Sequence, residues 1–552
     1  MSAAQRARVL RRVPAGKTGG GSAAGPVLYW MSRDQRVQDN WALIYAREEA
    51  LRAGAPLAVV FCLTPGFPGA TLRAYDFMLK GLQEVDASLR ALGLPFFLLP
   101  GDPAKALPQF ASAVRCSTVV TDFSPMEIKK EWLTSLLGAP YPPPPQQPTR
   151  TMQALELPRS ALPACVESVV EVDAHNTVPL WVASDRGGGS RAIREKIYPQ
   201  LDTFLCPFPP PLTAASCGER LKAWGPDIKV QPSPIDWAAV RSGLKVTDEV
   251  PPVSWLQPGE SAARAAAQHF AGSAERLHRY ETKRIDPTAV AQSDLSPYFH
   301  YGHVCAQTVA LMARHTVDTA EGGRTAQKGS ELFLEQAMVR PSICDNWCYY
   351  TGLKAKDPWP AWAVSSLRKH EGDEREHLYT EEALEYGKTH DALWNAAQHE
   401  MVVKGKMHAF LRMYWAKRIL EWTPDAATAF DITLRLNDKY ELDGRDPNGI
   451  VSIAWAIYGV HDAPFKPERP VTGALRPMTY QGCKSKFNVP HLLSMMRNAV
   501  ADPRIQADCP ELLRRCGLHG VQADAAVPRN PPPPEGERRV RGVDNPHHRD
   551  II

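Results

Sequence analysis

Short apolar segments alternate with amphipathic segments over the first third of the chain, and this alternation restricts its fold more than any other feature. The apolar segments are "PVLYWM" (26–31), "PLAVVFCL" (56–63), "PFFLLP" (95–100), "CSTVVTDF" (116–123) and "SVVEVDAHN" (168–176). Segments with helical periodicity lie between them, such as "WALIYAREEALRA" (41–53) and "RAYDFMLKGLQEVDASLRALG" (73–93). Buried strands that alternate with helices form a parallel sheet, so we expect a Rossmann-like α/β domain. No GxGxxG turn follows the first strand, which argues against a dinucleotide-dependent dehydrogenase.

Helical periodicity dominates the rest of the chain, from about 259 to 500. We therefore predict an α/β domain over 27–205, followed by an all-helical domain over 259–500. A Pro-rich insertion at 139–164 interrupts the first domain, and a polar, Pro-rich linker at 206–258 joins the two. Residues 501–552 include "PRNPPPPEGERRVRG" and are predicted to form a disordered tail.

The first 26 residues are basic: they contain four arginines and Lys17, and the first acidic residue of the chain is Asp34. This composition is typical of an organellar transit peptide. A disordered basic N-terminus is the alternative interpretation.

The overall composition excludes some classes of protein. No run of 18 apolar residues is present, so we expect no membrane span. The net charge of +4 and the pI near 8.4 permit nucleic-acid binding without requiring it. Eleven cysteines occur singly, without a CxxC pair, which favours a reducing compartment. The histidines are dispersed, and no cluster has metal-ligand spacing.

The segment "KMHAFLRMYWAKRILEW" (406–422) predicts one helix with Arg412, Trp415 and Trp422 on roughly one face. The two indoles are seven residues apart, about 10 Å along a helix. On this segment alone, core packing is the ordinary interpretation of such a stripe. An electron path through the indoles is the alternative.

Three further segments carry polar and aromatic side chains in short runs. "SDLSPYFHYG" (293–302) opens a helix with hydroxyl residues, which suits either a phosphate at the helix N-terminus or a plain N-cap. "LNDKYELDGRDPNG" (436–449) is rich in turn-forming polar residues. "SIAWAIYGVHD" (452–462) and "LWNAAQ" (393–398) add Trp455 and Trp394.

Together these segments resemble the class II cyclobutane pyrimidine dimer photolyases, flavoproteins of the photolyase/cryptochrome family. The resemblance covers about 27–500 apart from the Pro-rich insertion. It also rests on "YWMSRDQRVQDNWAL" (29–43), "RAYDFMLKGL" (73–82), "VVTDFSP" (119–125), "VDAHNTVPLWVASD" (172–185), "GKTHDALWNAAQ" (387–398) and "GKMHAFLRMYWAKRILEWT" (405–423).

The resemblance implies an N-terminal α/β antenna domain and a helical domain that binds FAD in a bent conformation. In that family, reduced anionic FAD absorbs blue light and passes an electron to a pyrimidine dimer, whose cyclobutane ring then splits before the electron returns. The dimer must leave the duplex, and unstacking costs a few kcal/mol, less for damaged bases. A second antenna chromophore, a deazaflavin or a folate, is a further expectation.

The resemblance also implies roles for individual residues. Tyr280, Ser293, Leu295 and Ser296 match FAD-contacting positions. Arg412 is expected to pair with Asp443 beside the isoalloxazine, and Asn437 to face flavin N5 with Asp462 as its hydrogen-bonding companion. The remaining assignments are the tryptophan chain that photoreduces the flavin (Trp415, Trp394, Trp422), the lesion pocket (Trp455, Met413) and phosphate contacts (Arg284, Arg340, Lys439).

The segment "FLEQAMVRPSICDNWCYY" (333–350) departs from the family, which usually reads close to FLEELIVRRELADNF there. The acid that hydrogen-bonds the dimer aligns best with Gln336. The neighbouring Glu335 is a further candidate for substrate binding, although its side chain points about 100° away on a helix. Gln336 can donate and accept hydrogen bonds but offers neither proton nor charge. Pro341 removes a helical hydrogen bond, so we expect the helix to kink or restart there.

These residues support two main functions. The first is a lyase that repairs pyrimidine dimers in DNA under light, and the second is a cryptochrome-like photoreceptor that has lost repair, which Gln336 and Pro341 favour. A nucleotide-binding protein without light function is a third. We expect damaged DNA as the partner, no membrane, no metal and a monomer, located in the nucleus or else in the chloroplast or mitochondrion.

Overall fold

The computed structural model describes residues 2–13, 25–141, 160–184, 189–218, 221–319 and 322–524. Its N-terminal part is built on a six-stranded sheet with the order β1-β6-β5-β2-β3-β4. All neighbouring strands pair in parallel except β1, which is antiparallel to β6. The strands are β1 (Ala7–Arg12), β2 (Val27–Met31), β3 (Leu57–Leu63), β4 (Phe96–Pro100), β5 (Thr118–Asp122) and β6 (Ser168–Val172). The predicted parallel sheet is confirmed, and β2 to β6 coincide with the five apolar segments.

Helices cover both faces of this sheet, as the near-continuous burial of β2 and β3 requires. The first helix begins after Asn40, whose side chain accepts hydrogen bonds from the backbone N–H groups of Ala42 and Leu43, and ends at Gly54 in the left-handed region. The helices packed here are α1 (Trp41–Ala53), α2 (Leu72–Ala91), α3 (Pro103–Ala113) and α4 (Glu127–Leu137).

The loop after β2 is held by one buried carboxylate at the end of β5. Asp122 accepts hydrogen bonds from the backbone N–H groups of Ser32, Arg33 and Asp34, each at 3.0 Å. The side chain of Asp122 is fully buried, so these donors fix the loop against the sheet. Arg33 is thereby presented to the helical part of the chain.

Residues 2–13 are ordered, which contradicts a disordered N-terminus over that range, and the transit-peptide interpretation stays a prediction. Ala3–Arg6 forms a 3-10 turn and leads into β1. The fully buried Arg6 guanidinium donates to the carbonyls of Asn176 and Thr177, and Arg8 is paired with Glu171 at 2.6 Å. A buried arginine needs such partners, and they lie more than 160 residues away in sequence. Residues 14–24 lie outside the described residues.

The rest of the described chain is helical, and the helical second domain is confirmed as part of the fold class. Short helices in the connecting region are α5 (Leu180–Ala183), α6 (Ser190–Ile197), α7 (Leu201–Phe204), α8 (Ala214–Gly218) and α9 (Trp237–Ser242), with a 3-10 turn at Tyr198–Gln200. Next come α10 (Glu260–Ala271), α11 (Ala274–Lys283), α12 (Ser296–His300), α13 (Ala306–Thr319), α14 (Gly323–Leu334), α15 (Arg340–Tyr350), α16 (Ala361–Lys369) and α17 (Glu381–Glu385). The last group is α18 (Ala392–Lys404), α19 (Ala409–Glu421), α20 (Ala426–Tyr440), α21 (Pro447–Tyr458), α22 (Tyr480–Lys484), α23 (Val489–Val500), α24 (Pro503–Asp508) and α25 (Pro510–Arg515).

Pro341 lies where the helix restarts, as predicted. Glu335–Val339 forms a π-helical turn between α14 and α15, and Pro341 stands in the first turn of α15. A proline is tolerated in a first turn because the N–H group that it lacks has no helical acceptor there. The π-turn therefore accommodates this departure from the family.

The predicted disordered tail is wrong for 501–524, because α24 and α25 pack there through Ile505, Leu512 and Leu513 onto the helical core. Residues 525–552 and most of the Pro-rich insertion (142–159) lie outside the described residues. The boundaries of 27–205, 206–258 and 259–500 stay predictions. Among the described residues, no helix is long and apolar enough to cross a membrane, and no three metal-ligating side chains are grouped to hold an ion.

Candidate functional site

A cavity of about 760 Å³ lies within the helical part of the chain. Its walls come mainly from α11, α12, the segment 333–344, α18, α19, α20 and α21. Most of the residues predicted for cofactor and lesion binding line it. This volume is within the range of about 300–1,000 Å³ for small-molecule sites.

Arg412, at the first turns of α19, forms the central ion pair of the cavity. Its Nη2 donates to Asp443 Oδ1 at 2.9 Å and to Glu441 Oε2 at 2.8 Å. Burial alone raises the pKa of the Asp443 carboxyl, but Arg412, Lys406 and the Ser296 hydroxyl outweigh it and lower that pKa to about 2. Asp443 is therefore ionised at neutral pH, and the predicted Arg412–Asp443 pair is present.

Asn437 and Asp462 both line the cavity, but the predicted hydrogen bond between them is wrong. Asn437 Nδ2 donates to Asp438 Oδ1 at 2.9 Å, and Asp462 Oδ1 accepts from the backbone N–H of Ala463 at 2.9 Å. Asp438 also accepts from the backbone N–H of Arg445 at 2.7 Å. The carboxylate that Asn437 contacts is therefore that of the next residue on α20. A Cβ on Gly449 would lie 2.9 Å from Asn437 Nδ2, so glycine lets α21 approach this amide.

The hydroxyl-rich turn before α12 faces the same cavity. Ser293, Ser296 and Tyr280 line it, and Lys406 Nζ donates to Ser296 Oγ at 3.0 Å. Leu295 is the N-cap residue of α12, and its side chain is fully buried in the apolar cluster on the other side. The side chain of Leu295 therefore does not contact the cavity, in contrast to its predicted role.

The three predicted tryptophans lie in a series that starts at the cavity. Trp415 lines the cavity, and its carbonyl oxygen accepts from the indole N–H of Trp394 at 3.0 Å. The ring centroids of Trp394 and Trp422 are 5.5 Å apart. All three side chains are at most 4% exposed. The three tryptophans are therefore core residues, and they contact one another in series. The electron path along them stays a prediction.

Another part of the lining suits a planar, polar ligand such as a base. Trp455, Met413 and Gln336 all line the cavity, as predicted. The Arg340 guanidinium lies 5.5 Å from the centroid of the Trp455 ring. Arg340 Nε and Nη2 and Arg284 Nε are buried without a hydrogen-bond partner in the described part of the chain. Buried unpaired donors of this kind are expected where a ligand supplies the acceptor.

Two predicted substrate contacts lie elsewhere. Glu335 accepts from Arg194 Nε at 2.8 Å and from the Tyr198 hydroxyl at 2.6 Å, away from the cavity that Gln336 lines. Lys439 Nζ lies 2.7 Å from Glu385 and 3.2 Å from Glu249. Neither Glu335 nor Lys439 lines the cavity, so neither is placed to contact a base inside it. The contact of Lys439 with DNA phosphates stays a prediction.

Two residues of the site were missed by sequence reasoning, Glu441 and Lys406. Glu441 stands two positions before Asp443 in the same polar turn, and this proximity in sequence could have indicated that Glu441 belongs to the site. Lys406 follows Gly405, whose left-handed conformation ends α18 and turns the chain into α19. The predicted single helix over 406–422 therefore begins only at Ala409.

The fold and the site now define a class. A solved class III photolyase from Agrobacterium tumefaciens superposes with a TM-score of 0.58 over 91% of this chain and 94% of that chain, at 17% identity, which shows a shared fold. The DNA photolyase family model matches residues 27–139.

Comparison of sequences gives the family. The deoxyribodipyrimidine photo-lyase of Potorous tridactylus is 43% identical over 464 residues, which are 84% of this chain and 79% of the relative. Cryptochrome-2 of Gallus gallus is only 24% identical over 281 residues, half of this chain and 44% of that protein. The chain belongs to the deoxyribodipyrimidine photo-lyases, and its resemblance to the class II enzymes is confirmed.

The lining residues fit the FAD that this family binds. The Arg412–Asp443 pair and Asn437 offer donors and acceptors to a polar ring edge. Lys406, Ser293 and Ser296 offer a cation and hydroxyls to a diphosphate, next to the N-terminus of α12. The cavity is large enough for both parts of such a cofactor in a bent conformation.

Proposed function

We propose that this chain repairs cyclobutane pyrimidine dimers in DNA under blue light. The single observation that carries the proposal is that one cavity is lined both by a flavin-type ion pair, Arg412–Asp443, and by a base-type wall with Trp455, Met413 and Gln336. The cofactor and a flipped-out base would therefore meet in the same cavity. The family relationship supports the same activity.

FAD, when bound and reduced, supplies the light absorption and the electron. The residues of the chain bind and orient the cofactor and the damaged DNA. The indole of Trp455 offers a face for base stacking, and the Gln336 amide can both donate to and accept from the dimer's carbonyl and imide groups. Arg340 and Arg284 place positive charge at the same wall, where DNA phosphates can pair with them.

A second cavity, of about 170 Å³, is the place we propose for an antenna chromophore. This volume is below the range of about 300–1,000 Å³ for small-molecule sites, so a chromophore would extend beyond the cavity. It lies at the carboxyl ends of β2, β3 and β5, where ligands of parallel α/β sheets commonly bind. Its lining includes the aromatic rings of Trp30, Phe61, Tyr75 and Trp132. Lys129 Nζ lies 3.5 Å from the centroid of the Trp30 ring. Arg33 and Arg445 also line it. An aromatic cavity with buried cations suits a flat, electron-rich molecule, such as a deazaflavin or a folate.

Gln336 favours a second candidate, a cryptochrome-like photoreceptor, because an amide cannot supply the proton or charge of a carboxylic acid. One anaerobic assay separates the two candidates. Protein with chemically reduced flavin is mixed with an oligonucleotide that holds one thymine dimer, and restored thymines are counted in blue light and in darkness. Light-dependent restoration supports the repair enzyme. Flavin that is bound and photoreducible without restoration rejects repair and leaves the photoreceptor.

The Trp455→Ala variant sharpens this assay. It should lower repair about 5- to 150-fold while the flavin remains bound, since one stacked base contributes about 1–3 kcal/mol. Trp181→Phe, a buried tryptophan of α5 outside the cavity lining, is the matched control and should repair normally. We further propose action in the nucleus, with chloroplast or mitochondrion as alternatives, and a monomeric state; fluorescent fusion imaging and light scattering test these.

A further inference from the structure

Glu441 is a second carboxylate on the guanidinium of Arg412. Its Oε2 accepts from Arg412 Nη2 at 2.8 Å, and its Oε1 accepts from the backbone N–H of Met407 at 3.1 Å. Arg412 Nη2 also donates to Asp443. The Glu441 side chain is 1% exposed, against 10% for Asp443 and 27% for Arg412. One cation thus serves two carboxylates, and Glu441 is the more buried of the two.

The surroundings of Glu441 leave it short of positive charge. Lys406 is the other cation nearby, but its Nζ donates to Ser296 Oγ and lies 3.8 Å from Asp294. Glu400, on α18, adds a further buried carboxylate that faces the same ion pair. Glu441 is also the C-cap residue of α20, at the negative end of the helix dipole. Glu400 and the helix end therefore disfavour a negative charge on Glu441, whereas Arg412 and Lys406 favour it.

We propose that Glu441 holds a proton and positions the Arg412 guanidinium. Ionisation of Glu441 would then change the charge beside the flavin site by one unit. The inference rests on the proposed function, since it concerns the same site. Burial, reinforced by Asp443 and Glu400 and opposed by Arg412 and Lys406, raises the pKa of Glu441 to about 8, whereas Asp443 stays ionised. Protonated Glu441 leaves Arg412 with one ionised partner, which favours an added negative charge on the cofactor.

The first test is the pH dependence of the midpoint potential of the bound flavin. In the wild-type protein, reduction should draw a proton onto Glu441 around pH 8. For each unit that the pH rises, the equilibrium constant for flavin reduction should fall up to tenfold more in the wild-type protein than in Glu441→Gln. This difference equals 29.6 mV per pH unit for a two-electron couple. Glu260→Gln is the matched control, because Glu260 is buried with a raised pKa but lies outside the cavity lining. Equal slopes in wild type and Glu441→Gln overturn the proposal.

The second test needs no flavin. Infrared spectroscopy of the apoprotein should show the carbonyl band of a protonated carboxylic acid that disappears as the pH rises through about 8. The band should be absent from Glu441→Gln, shifted in Glu441→Asp and retained in Glu260→Gln. A wild-type protein without such a band refutes the inference even if Glu441→Gln does not fold. Failure to bind flavin, with the band present, refutes the proposed function but not the protonation of Glu441.

Discussion

Arg33 donates two parallel hydrogen bonds to Asp345, from Nη1 to Oδ2 at 2.7 Å and from Nη2 to Oδ1 at 3.0 Å. Arg33 belongs to the loop after β2, and Asp345 belongs to α15. This fork therefore joins the α/β part to the helix that begins at Arg340. The two side chains are 7% and 0% exposed. Asp446, the N-cap residue of α21, lies 4.0 Å from the same guanidinium. One arginine thus connects the sheet with two helices of the cavity.

Loss of this fork should destabilise the protein strongly. Arg33→Met leaves Asp345 buried without its cation, which costs about 3–5 kcal/mol. Urea denaturation measures the free energy of unfolding. The double variant Arg33→Met/Asp345→Leu should be less destabilised than Arg33→Met, because no buried charge is left unpaired. Glu195→Ala, which breaks the exposed pair with Arg191, is the control and should change stability by at most about 1 kcal/mol.

Several elements of the fold were predictable because their signals are local. Residues 41–53 form α1 as predicted, since Asn40 caps its start, Gly54 ends it and the periodic face lies between. The different directions of the Glu335 and Gln336 side chains also follow from helix geometry, since neighbouring residues are about 100° apart. The tryptophan series could be proposed only through the family resemblance, because core packing accounts equally well for the same spacing.

The errors concern residues whose partners are far away in sequence. β1 reads "ARVLRR", a basic segment, and becomes a strand because Arg6 and Arg8 find acceptors at 171–177 and beyond. Lys439 pairs with Glu249 and Glu385, which the fold brings to it from distant parts of the sequence and which sequence reasoning did not predict. The pairing of Glu441 with Arg412 was likewise not predicted, because the two residues are 29 positions apart in sequence.

Trp394 should be essential for photoreduction and dispensable for repair by a flavin that is already reduced. It joins Trp415 to Trp422, and phenylalanine keeps most of its packing while removing an oxidisable indole. Trp394→Phe should slow photoreduction of oxidised flavin at least tenfold under blue light with an external donor, as followed by absorbance. Repair after chemical reduction should stay within about twofold of wild type. Equal photoreduction in both proteins rejects the electron path and leaves the indoles as core.

Acid should destabilise the protein in part through His303. This side chain is fully buried, accepts from the backbone N–H of Gly259 through Nδ1, and is stacked on Phe77 at 5.4 Å. Burial, with His300 and Arg36 nearby, lowers its pKa to about 3. Between about pH 6.5 and 3 the unfolded chain binds this proton and the folded one does not. Stability should therefore fall as the pH drops through that window, by up to about 1.4 kcal/mol per unit.

His303→Gln keeps an acceptor for Gly259 and should reduce this slope by up to one proton. His269→Gln, on the exposed face of α10, is the control and should leave the profile unchanged. Chemical denaturation at a series of pH values between 4 and 7 measures both slopes. A profile for His303→Gln that is parallel to wild type contradicts the assignment of the proton to His303.

Arg340 should bind damaged DNA through a phosphate as well as frame the lesion wall. Two of its guanidinium nitrogens have no hydrogen-bond partner in the described chain, and burial lowers the pKa of Arg340. A guanidinium stays charged in proteins, so Arg340 offers a cation to a phosphate. Arg340→Met should weaken binding of dimer-containing DNA and reduce the slope of log affinity against log salt by about 1, the loss of one phosphate contact. Arg52→Met, an exposed arginine of α1 outside the cavity lining, is the matched control. Lower affinity with an unchanged salt slope instead assigns Arg340 to the Trp455 wall alone, since a contact to the base or the ring releases no counterion.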